Sequence, residues 1–204
     1  MSKEGCVDAN ERIYEELFKR LKSSNLVELA ERKGISLCSD DSLLITSFGQ
    51  CYRVNDGGVA REDGAEAGFK ERFAIVNYLL SDGSGEPSGE LIPFSRLGGF
   101  NLGRQRHDDR SLKLPILAKF GENYPAFAAA AEAIGGVELE SASREEHRWR
   151  FYAFAKLPIT LTFYERDMEF PPDVNVLFDS RALDFIGLSC LGFLPDYFVT
   201  ALVG

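Results

Sequence analysis

The stretch Lys156-Leu-Pro-Ile-Thr-Leu-Thr-Phe-Tyr-Glu-Arg-Asp-Met-Glu-Phe-Pro-Pro-Asp-Val-Asn-Val-Leu-Phe-Asp179 decides the fold, because two strand-like runs lie on either side of an acidic turn. In its first run, Ile159-Thr-Leu-Thr-Phe-Tyr164, apolar residues alternate with threonines, as is typical of a β-strand. Val174-Asn-Val-Leu-Phe178 indicates a second and more buried strand. The stretch therefore predicts a strand that returns along its neighbour after Pro171-Pro172.

Further strand signals lie on both sides of the chain's middle. Trp149-Arg-Phe-Tyr-Ala-Phe-Ala155 is strand-like, and Lys156-Leu-Pro158 then turns the chain. Earlier, Ser42-Leu-Leu-Ile-Thr-Ser-Phe48 and Cys51-Tyr-Arg-Val54 are short β-branched or aromatic runs separated by Gly49-Gln50, and Asn55-Asp-Gly-Gly58 offers positive-φ turn chemistry. These patterns predict a meander of antiparallel strands.

Helical periodicity appears in four places. Residues Ala9–Lys33 predict an amphipathic helix with Asp8 or Asn10 as its cap, Gly34 as its stop and a break near Ser23–Asn25. Three more segments predict helices: Phe69–Leu80, Tyr124–Ile134 and one or two helices within Ser180–Val203.

The fold class that follows is α+β in a single domain over residues 1–204, with an N-terminal helical segment at 1–35. We expect a mostly antiparallel sheet from about Ser42–Val59 and Trp149–Phe178, covered by helices. The strands and helices do not alternate regularly, which disfavours a doubly wound parallel sheet.

Composition excludes some functions. The 204 residues are 45% hydrophobic and 27% charged, enough to bury a sizeable core. The net charge of −9 repels phosphate polyanions and anionic lipids, so we expect neither nucleic-acid nor membrane binding.

Residues Met1–Gly5 lead into a charged helix without an apolar segment, which predicts a cytoplasmic protein. The four cysteines form no Cys-x-x-Cys pair, and no motif implies a cofactor.

Carboxylates form one candidate site. If Glu165, Asp167 and Glu169 extend the preceding strand, their spacing places them on one face, and Asp179 approaches from the returning strand. Asp167, Glu169 and Asp179 would then hold a hard cation such as Mg²⁺ or Ca²⁺, or act as general acid and base. The alternative is a solvated loop whose acidic residues bind nothing, with Asp179 capping the next helix.

A local basic stretch forms the second candidate site. Arg96, Arg104, Arg106 and Arg110 lie close together in an otherwise acidic chain, next to Gly98-Gly99 and around His107. They would form an anion pocket if the glycines let backbone N–H groups approach the ligand. A solvated helix start is the plainer interpretation.

Several segments resemble a family described as domain of unknown function 3786. The likeness lies in Phe48-Gly-Gln-Cys-Tyr-Arg-Val54, Ile75-Val-Asn-Tyr-Leu-Leu80, Gly89-Glu-Leu-Ile-Pro-Phe-Ser-Arg-Leu-Gly-Gly99, Leu157-Pro-Ile159, Asp167-Met-Glu-Phe-Pro171 and Leu177-Phe-Asp-Ser180, and spans about residues 40–195. The resemblance implies anaerobic bacteria or archaea and a link to corrinoid and one-carbon metabolism. The family's acidic residue in the closing helical region is missing around Leu188-Ser-Cys190, and no cluster-binding cysteines are fused to the chain.

No nucleophile elbow, dinucleotide loop or Walker loop occurs in the chain. We therefore favour a non-catalytic accessory protein that binds a small anionic ligand, a corrinoid-type cofactor or a protein partner. Two alternatives stay open at this point. One is a metal-dependent hydrolase or lyase that uses the carboxylates, and the other is a protein-interaction domain anchored by exposed aromatic residues.

Overall fold

A computed structural model describes residues 3–97, 109–141, 143–187, 190 and 192–204. The α-helices of this part of the chain are α1 (Lys3–Lys22), α2 (Leu26–Lys33), α3 (Phe69–Leu80), α4 (Leu114–Phe120), α5 (Tyr124–Ala133), α6 (Ala182–Ile186) and α7 (Leu194–Val203). The strands are β1 (Ser36–Leu37), β2 (Leu43–Ser47), β3 (Gln50–Asn55), β4 (Gly58–Arg61), β5 (Leu91–Pro93), β6 (Val137–Leu139), β7 (Glu146–Phe154), β8 (Leu157–Tyr164) and β9 (Asp173–Asp179). The predicted α+β class is confirmed.

The strands form two antiparallel sheets. The first is a meander in the order β1-β2-β3-β4, and the second has the order β5-β9-β8-β7-β6. We predicted the pairing of β8 with β9 from the sequence, and the register aligns Tyr164 with Asp173. The division into two sheets is a difference from the prediction, which assigned both groups of strands to one.

Strand β8 is the centre of the larger sheet and is covered on both faces. Its threonines, which the alternation placed on an outer face, are buried, with Thr160 at 2% and Thr162 at 6% exposure. Helix α5 covers the opposite face of β8, where it places Phe127 4.8 Å from the Phe163 ring and 6.1 Å from the Trp149 ring. The core is thus an aromatic layer between helices and strands.

Local signals explain where the helices begin and end. The predicted break in the first helix is confirmed, because Asn25 caps α2 by accepting hydrogen bonds from the N–H groups of Val27 and Glu28. Gly34 ends α2 at φ +65°, as predicted. The predicted caps Asp8 and Asn10 are wrong, since α1 begins at Lys3 and both lie inside it.

A two-residue turn joins the two sheets. Phe48 and Gly49 connect β2 to β3 with φ values of +45° and +73°, a turn in which both central residues are left-handed. The Phe48 N–H donates to the Tyr152 carbonyl of β7 at 3.0 Å. Gly49 lies directly against Gly135, so that a Cβ on Gly49 would sit 3.0 Å from the Gly135 nitrogen.

The ring of Phe48 completes this junction. It packs 5.1 Å from the Tyr197 ring and 5.6 Å from the Phe198 ring of α7. Phe198 in turn lies 5.2 Å from Phe151 of β7. Helix α7 therefore contacts the turn of the small sheet and a strand of the large sheet at once.

A fully buried lysine links α2 to α3. The Lys33 ammonium donates to the Ser81 carbonyl at 2.7 Å, to the Ser81 hydroxyl at 2.6 Å and to the Gly83 carbonyl at 3.3 Å. It also lies over the Tyr78 ring, 5.1 Å from the centroid. Burial, followed by repulsion from Arg32, lowers the pKa of Lys33 to about 8.

We predict that Gly49→Ala destabilises the protein more than Gly64→Ala. Both glycines have positive φ, so each substitution costs about 1–2 kcal/mol of backbone strain. A Cβ at Gly64 would meet no atom within 4 Å, whereas at Gly49 it meets backbone of residues 134 and 135, adding about 1–3 kcal/mol. Denaturant unfolding measures the difference, and equal losses would contradict the close contact between the sheets.

We also predict that stability rises with pH through the range in which Lys33 titrates. Its pKa is about 8 in the folded chain and near 10.5 when exposed, so between these values the unfolded chain binds more protons. The free energy of unfolding then rises by at most about 1.4 kcal/mol per pH unit. Urea unfolding of the wild type and Lys33→Met between pH 7 and 10 isolates this term, because the other titrating groups are common to both. Parallel curves would show that Lys33 titrates normally.

Candidate functional site

The structure separates the predicted carboxylates. Strand β8 ends at Tyr164, so Glu165, Asp167 and Glu169 lie on an exposed loop instead of extending the strand. The Asp167 carboxylate turns back on this loop and accepts hydrogen bonds from the N–H groups of Glu169 (2.7 Å) and Phe170 (2.6 Å). The Asp167 carboxylate therefore stabilises the backbone conformation of its own loop.

Asp179 lies at the opposite end of β9. Because Asp173 pairs with Tyr164 and Asp179 pairs with Leu91, the six-residue separation along the strand places Asp179 about 20 Å from the loop that carries Asp167 and Glu169. The predicted approach of Asp179 to Asp167 and Glu169 does not occur. Among the described residues, no group of three or more histidines, cysteines or acidic residues is arranged to hold a metal ion.

Asp179 has a structural role instead. Its buried carboxylate accepts from the N–H groups of Ser88 (3.1 Å), Gly89 (2.7 Å) and Arg181 (2.9 Å), and from the Ser88 hydroxyl. Although burial opposes the charge, these donors outweigh it and hold the pKa of Asp179 below its ordinary value. The carboxylate thus fastens the loop before β5 to the end of β9.

The basic stretch is only partly within the described residues. Arg96, in a 3-10 turn at Phe94–Arg96, and Arg110, in a π-helical turn at Asp109–Lys113, are both exposed. Arg104 and Arg106 lie outside the described residues, as do Gly98-Gly99 and His107. The anion pocket stays a prediction.

The structure contains a cavity that the sequence analysis did not predict. It has a volume of about 690 Å³ and lies between the β2–β3 turn, the start of α3, the end of α5 and helix α7. We call it the hairpin cavity. Its apolar walls include Phe48, Phe69, Ile134 and Ala201. A concave apolar site with a few convergent polar groups is the usual form of a small-molecule site.

A chain of buried hydroxyls runs along one wall of the hairpin cavity. The Tyr52 hydroxyl donates to the Glu71 carboxylate at 2.6 Å, and the hydroxyls of Ser47 and Tyr197 lie 2.6 Å apart. Tyr52 and Tyr197 lie close enough for each to shift the pKa of the other, so the two pairs form one row of hydroxyls. Since a carboxylate can only accept, the proton of the Tyr52 hydroxyl is directed toward Glu71.

Burial keeps these phenols neutral. It raises the pKa of Tyr197 to about 12, and burial, then Tyr197 and the Glu71 hydrogen bond, raise the pKa of Tyr52 as well. A phenol with such a pKa does not act as a base at neutral pH. The hydroxyl chain therefore serves as a fixed hydrogen-bonding surface.

Two cations line the same cavity. Arg61 donates to Asp63, Gln50 and Glu71, and Lys70 donates to Asp196 and Thr200. Their side chains are partly exposed, at 28% for Arg61 and 38% for Lys70. Glu71 is held by Tyr52, Arg61 and the Gly68 N–H, which together occupy both carboxylate oxygens.

Sequence reasoning missed this cavity because its parts are distant along the chain. Ser47 and Tyr197 are separated by 150 positions, and neither belongs to a local motif. The one available signal was Phe48-Gly49 between two strands, since a large aromatic residue at a left-handed turn position is strained and such strain concentrates at functional sites.

Comparison with known proteins gives one family. The family model described as "Domain of unknown function (DUF3786)" matches residues 25–201. The match begins at α2 and ends within α7, and so extends beyond the 40–195 expected from the quoted segments. No curated protein and no solved structure matches the chain.

No helix within the described ranges has the length and apolar character needed to cross a bilayer.

We predict that Asp179→Ala lowers the free energy of unfolding by about 2–4 kcal/mol, because it leaves buried N–H donors without an acceptor. The control Asp167→Ala exposes its donors to water and costs about 1 kcal/mol or less. Because the folded pKa of Asp179 lies below its ordinary 3.8, its contribution is present above that pH and is lost as pH falls below it. Equal losses for both variants in urea unfolding would contradict this assignment.

Proposed function

We propose that the chain, which belongs to the DUF3786 family, is a small-molecule-binding protein whose site is the hairpin cavity. Its ligand is a planar, mostly apolar molecule that carries a carboxylate or a similar anionic group. The observation that carries this proposal is the combination of a 690 Å³ apolar cavity with buried hydroxyls and two partly exposed cations.

The size and walls of the cavity favour a flat ligand. A volume of about 690 Å³ falls within the range of pockets that enclose drug-sized molecules. Phe48 and Phe69 present aromatic surface, and aromatic rings pack well in offset or edge-on arrangements against rings of this kind. A planar ring system would therefore bury most of its surface here.

The cations favour a negative charge on that ligand. The contacts of Arg61 with described residues use four of its five N–H donors, and those of Lys70 use two of three. The oxygens of Glu71 are already occupied by donors, which reduces its repulsion of an anion. One remaining donor on each cation is thus available to a carboxylate.

The same features favour binding over catalysis. The phenols that face the cavity stay neutral, and the Ser47 hydroxyl is paired with Tyr197 and not with a base. A site of this kind recognises a ligand without transferring a proton from it. An accessory role, in which the protein holds or delivers a small molecule, is the function that these residues support.

A corrinoid-type cofactor fits the hairpin cavity less well. The described histidine His147 lies elsewhere, 3.5 Å from the Tyr124 ring and bonded to Glu165 at 2.9 Å, so it offers the cavity no axial ligand. His107 lies outside the described residues. Hydroxocobalamin is therefore included below as a competing ligand.

We predict that 2-naphthoate binds the protein with a dissociation constant in the micromolar range, measured by its own fluorescence or by calorimetry. Arg61→Met should weaken binding at least fivefold, because it removes a charge-assisted hydrogen bond. Thr200→Trp, which fills the cavity, should abolish it. The neutral isostere 2-naphthamide should bind at least fivefold more weakly than the acid.

Arg53→Met is the matched control. Arg53 is also a paired arginine of the small sheet, with 31% exposure and contacts to Glu62 and Asp40, but it does not line the cavity. It should leave naphthoate binding unchanged. Binding that survives Thr200→Trp would place the site elsewhere. If hydroxocobalamin binds more tightly than 2-naphthoate and Thr200→Trp also abolishes its binding, the ligand of the hairpin cavity is a corrinoid and not an aromatic acid.

A further inference from the structure

A second surface of the molecule exposes large apolar side chains on a fixed loop. We call residues 165–172, between β8 and β9, the acidic loop. Met168 is fully exposed at 103% and Phe170 is 64% exposed, which makes them the two most exposed large hydrophobic residues of the described chain. Folding alone does not explain their position, because neither side chain contributes to the core.

The backbone of the acidic loop is held in place. Asp167 donates its N–H to the Phe170 carbonyl at 3.1 Å and accepts from the N–H groups of Glu169 and Phe170. Arg166 binds Glu122, in the turn between α4 and α5, at 2.7 Å. The two apolar side chains are thus presented in a preorganised geometry, which lowers the entropic cost of binding them.

An acidic cleft lies beside this loop. Its volume is about 690 Å³, and its walls combine Leu117, Tyr164 and Phe170 with five carboxylates, from Glu145, Glu146, Glu165, Asp167 and Asp173. Lys113 is the cation among the lining residues, and it is paired with Asp173 at 2.6 Å. Glu145 and Glu146 form no ion pair with a described residue, so the cleft has an excess of negative charge.

We propose that the acidic loop and its cleft form a docking surface for a partner protein that presents Lys or Arg side chains around an apolar patch. Met168 and Phe170 insert into that patch, and the basic side chains enter the cleft and lie against Tyr164 and its carboxylates. This inference does not rest on the ligand of the hairpin cavity, because the two sites share no lining residue.

The observations favour a protein over other occupants. A small cation held in the cleft would leave Met168 uncovered, because Met168 is not among the cleft's lining residues. An anionic membrane would be repelled by the five carboxylates, although the two apolar side chains could enter it. The net charge of −9 also steers a basic partner toward the chain.

The test selects binders from a random twelve-residue phage-displayed peptide library on the immobilised, folded protein. We expect the selected peptides to combine Lys or Arg with Leu, Phe or Met. Synthesised with a fluorescein label, they should lose at least tenfold in affinity for Met168→Ser/Phe170→Ser and for Glu145→Lys/Glu146→Lys. Raising the NaCl concentration from 50 to 500 mM should lower the affinity of the peptides for the wild-type protein by a similar factor.

Val27→Ser/Val137→Ser is the matched control, since these residues are 54% and 56% exposed and lie on other elements. It should change affinity less than twofold. Three results would overturn the proposal. They are a selection without basic peptides, equal binding by the loop variant, and flotation with phosphatidylglycerol vesicles that depends on Met168 and Phe170. In the first of these cases, spermidine binding that persists in the loop variant would assign the cleft to small cations.

Discussion

The backbone contact between Gly49 and Gly135 is the constraint on which the arrangement of the two sheets depends. Each glycine has a left-handed φ, and each leaves no room for a Cβ on the other. The contact lets the Phe48 N–H reach the Tyr152 carbonyl and places the Phe48 ring against α7. The hairpin cavity lies at this junction, so the same contact sets the distance between its walls.

Much of the fold could be predicted from local patterns. Alternation in β8 and the turn residues of the β3–β4 hairpin specified the strands, and helix α3 has the predicted bounds, Phe69–Leu80. The division into two sheets could not be predicted, because it depends on which edges meet. Strands β5 and β6, each three residues long, are too short to give a periodic signal, and they exist because β9 and β7 offer them an edge.

The predicted carboxylate site shows that residues close in sequence need not be close in the fold. Asp179 was proposed as a ligand because it follows a strand close in sequence to three other carboxylates, yet β9 carries it to the far end of the sheet. Three of the four donors to its carboxylate come from the loop at Ser88-Gly89, some ninety positions away, and the fourth is the N–H of Arg181. Proximity along the sequence therefore predicted a carboxylate cluster that does not form. The buried hydroxyls of the hairpin cavity come from distant parts of the sequence, so no local motif predicted them.

The bond between Ser47 and Tyr197 spans 150 positions and has a consequence for folding kinetics. Closing so long a loop carries an entropic cost that local contacts do not share, and contacts of high sequence separation slow the search for the native state. The wall of the hairpin cavity that contains Ser47 and Tyr197 can form only after the small sheet and helix α7 have packed together. Ligand affinity should consequently report on the fully assembled chain, and a partly folded intermediate that retains only its local hairpins would not bind.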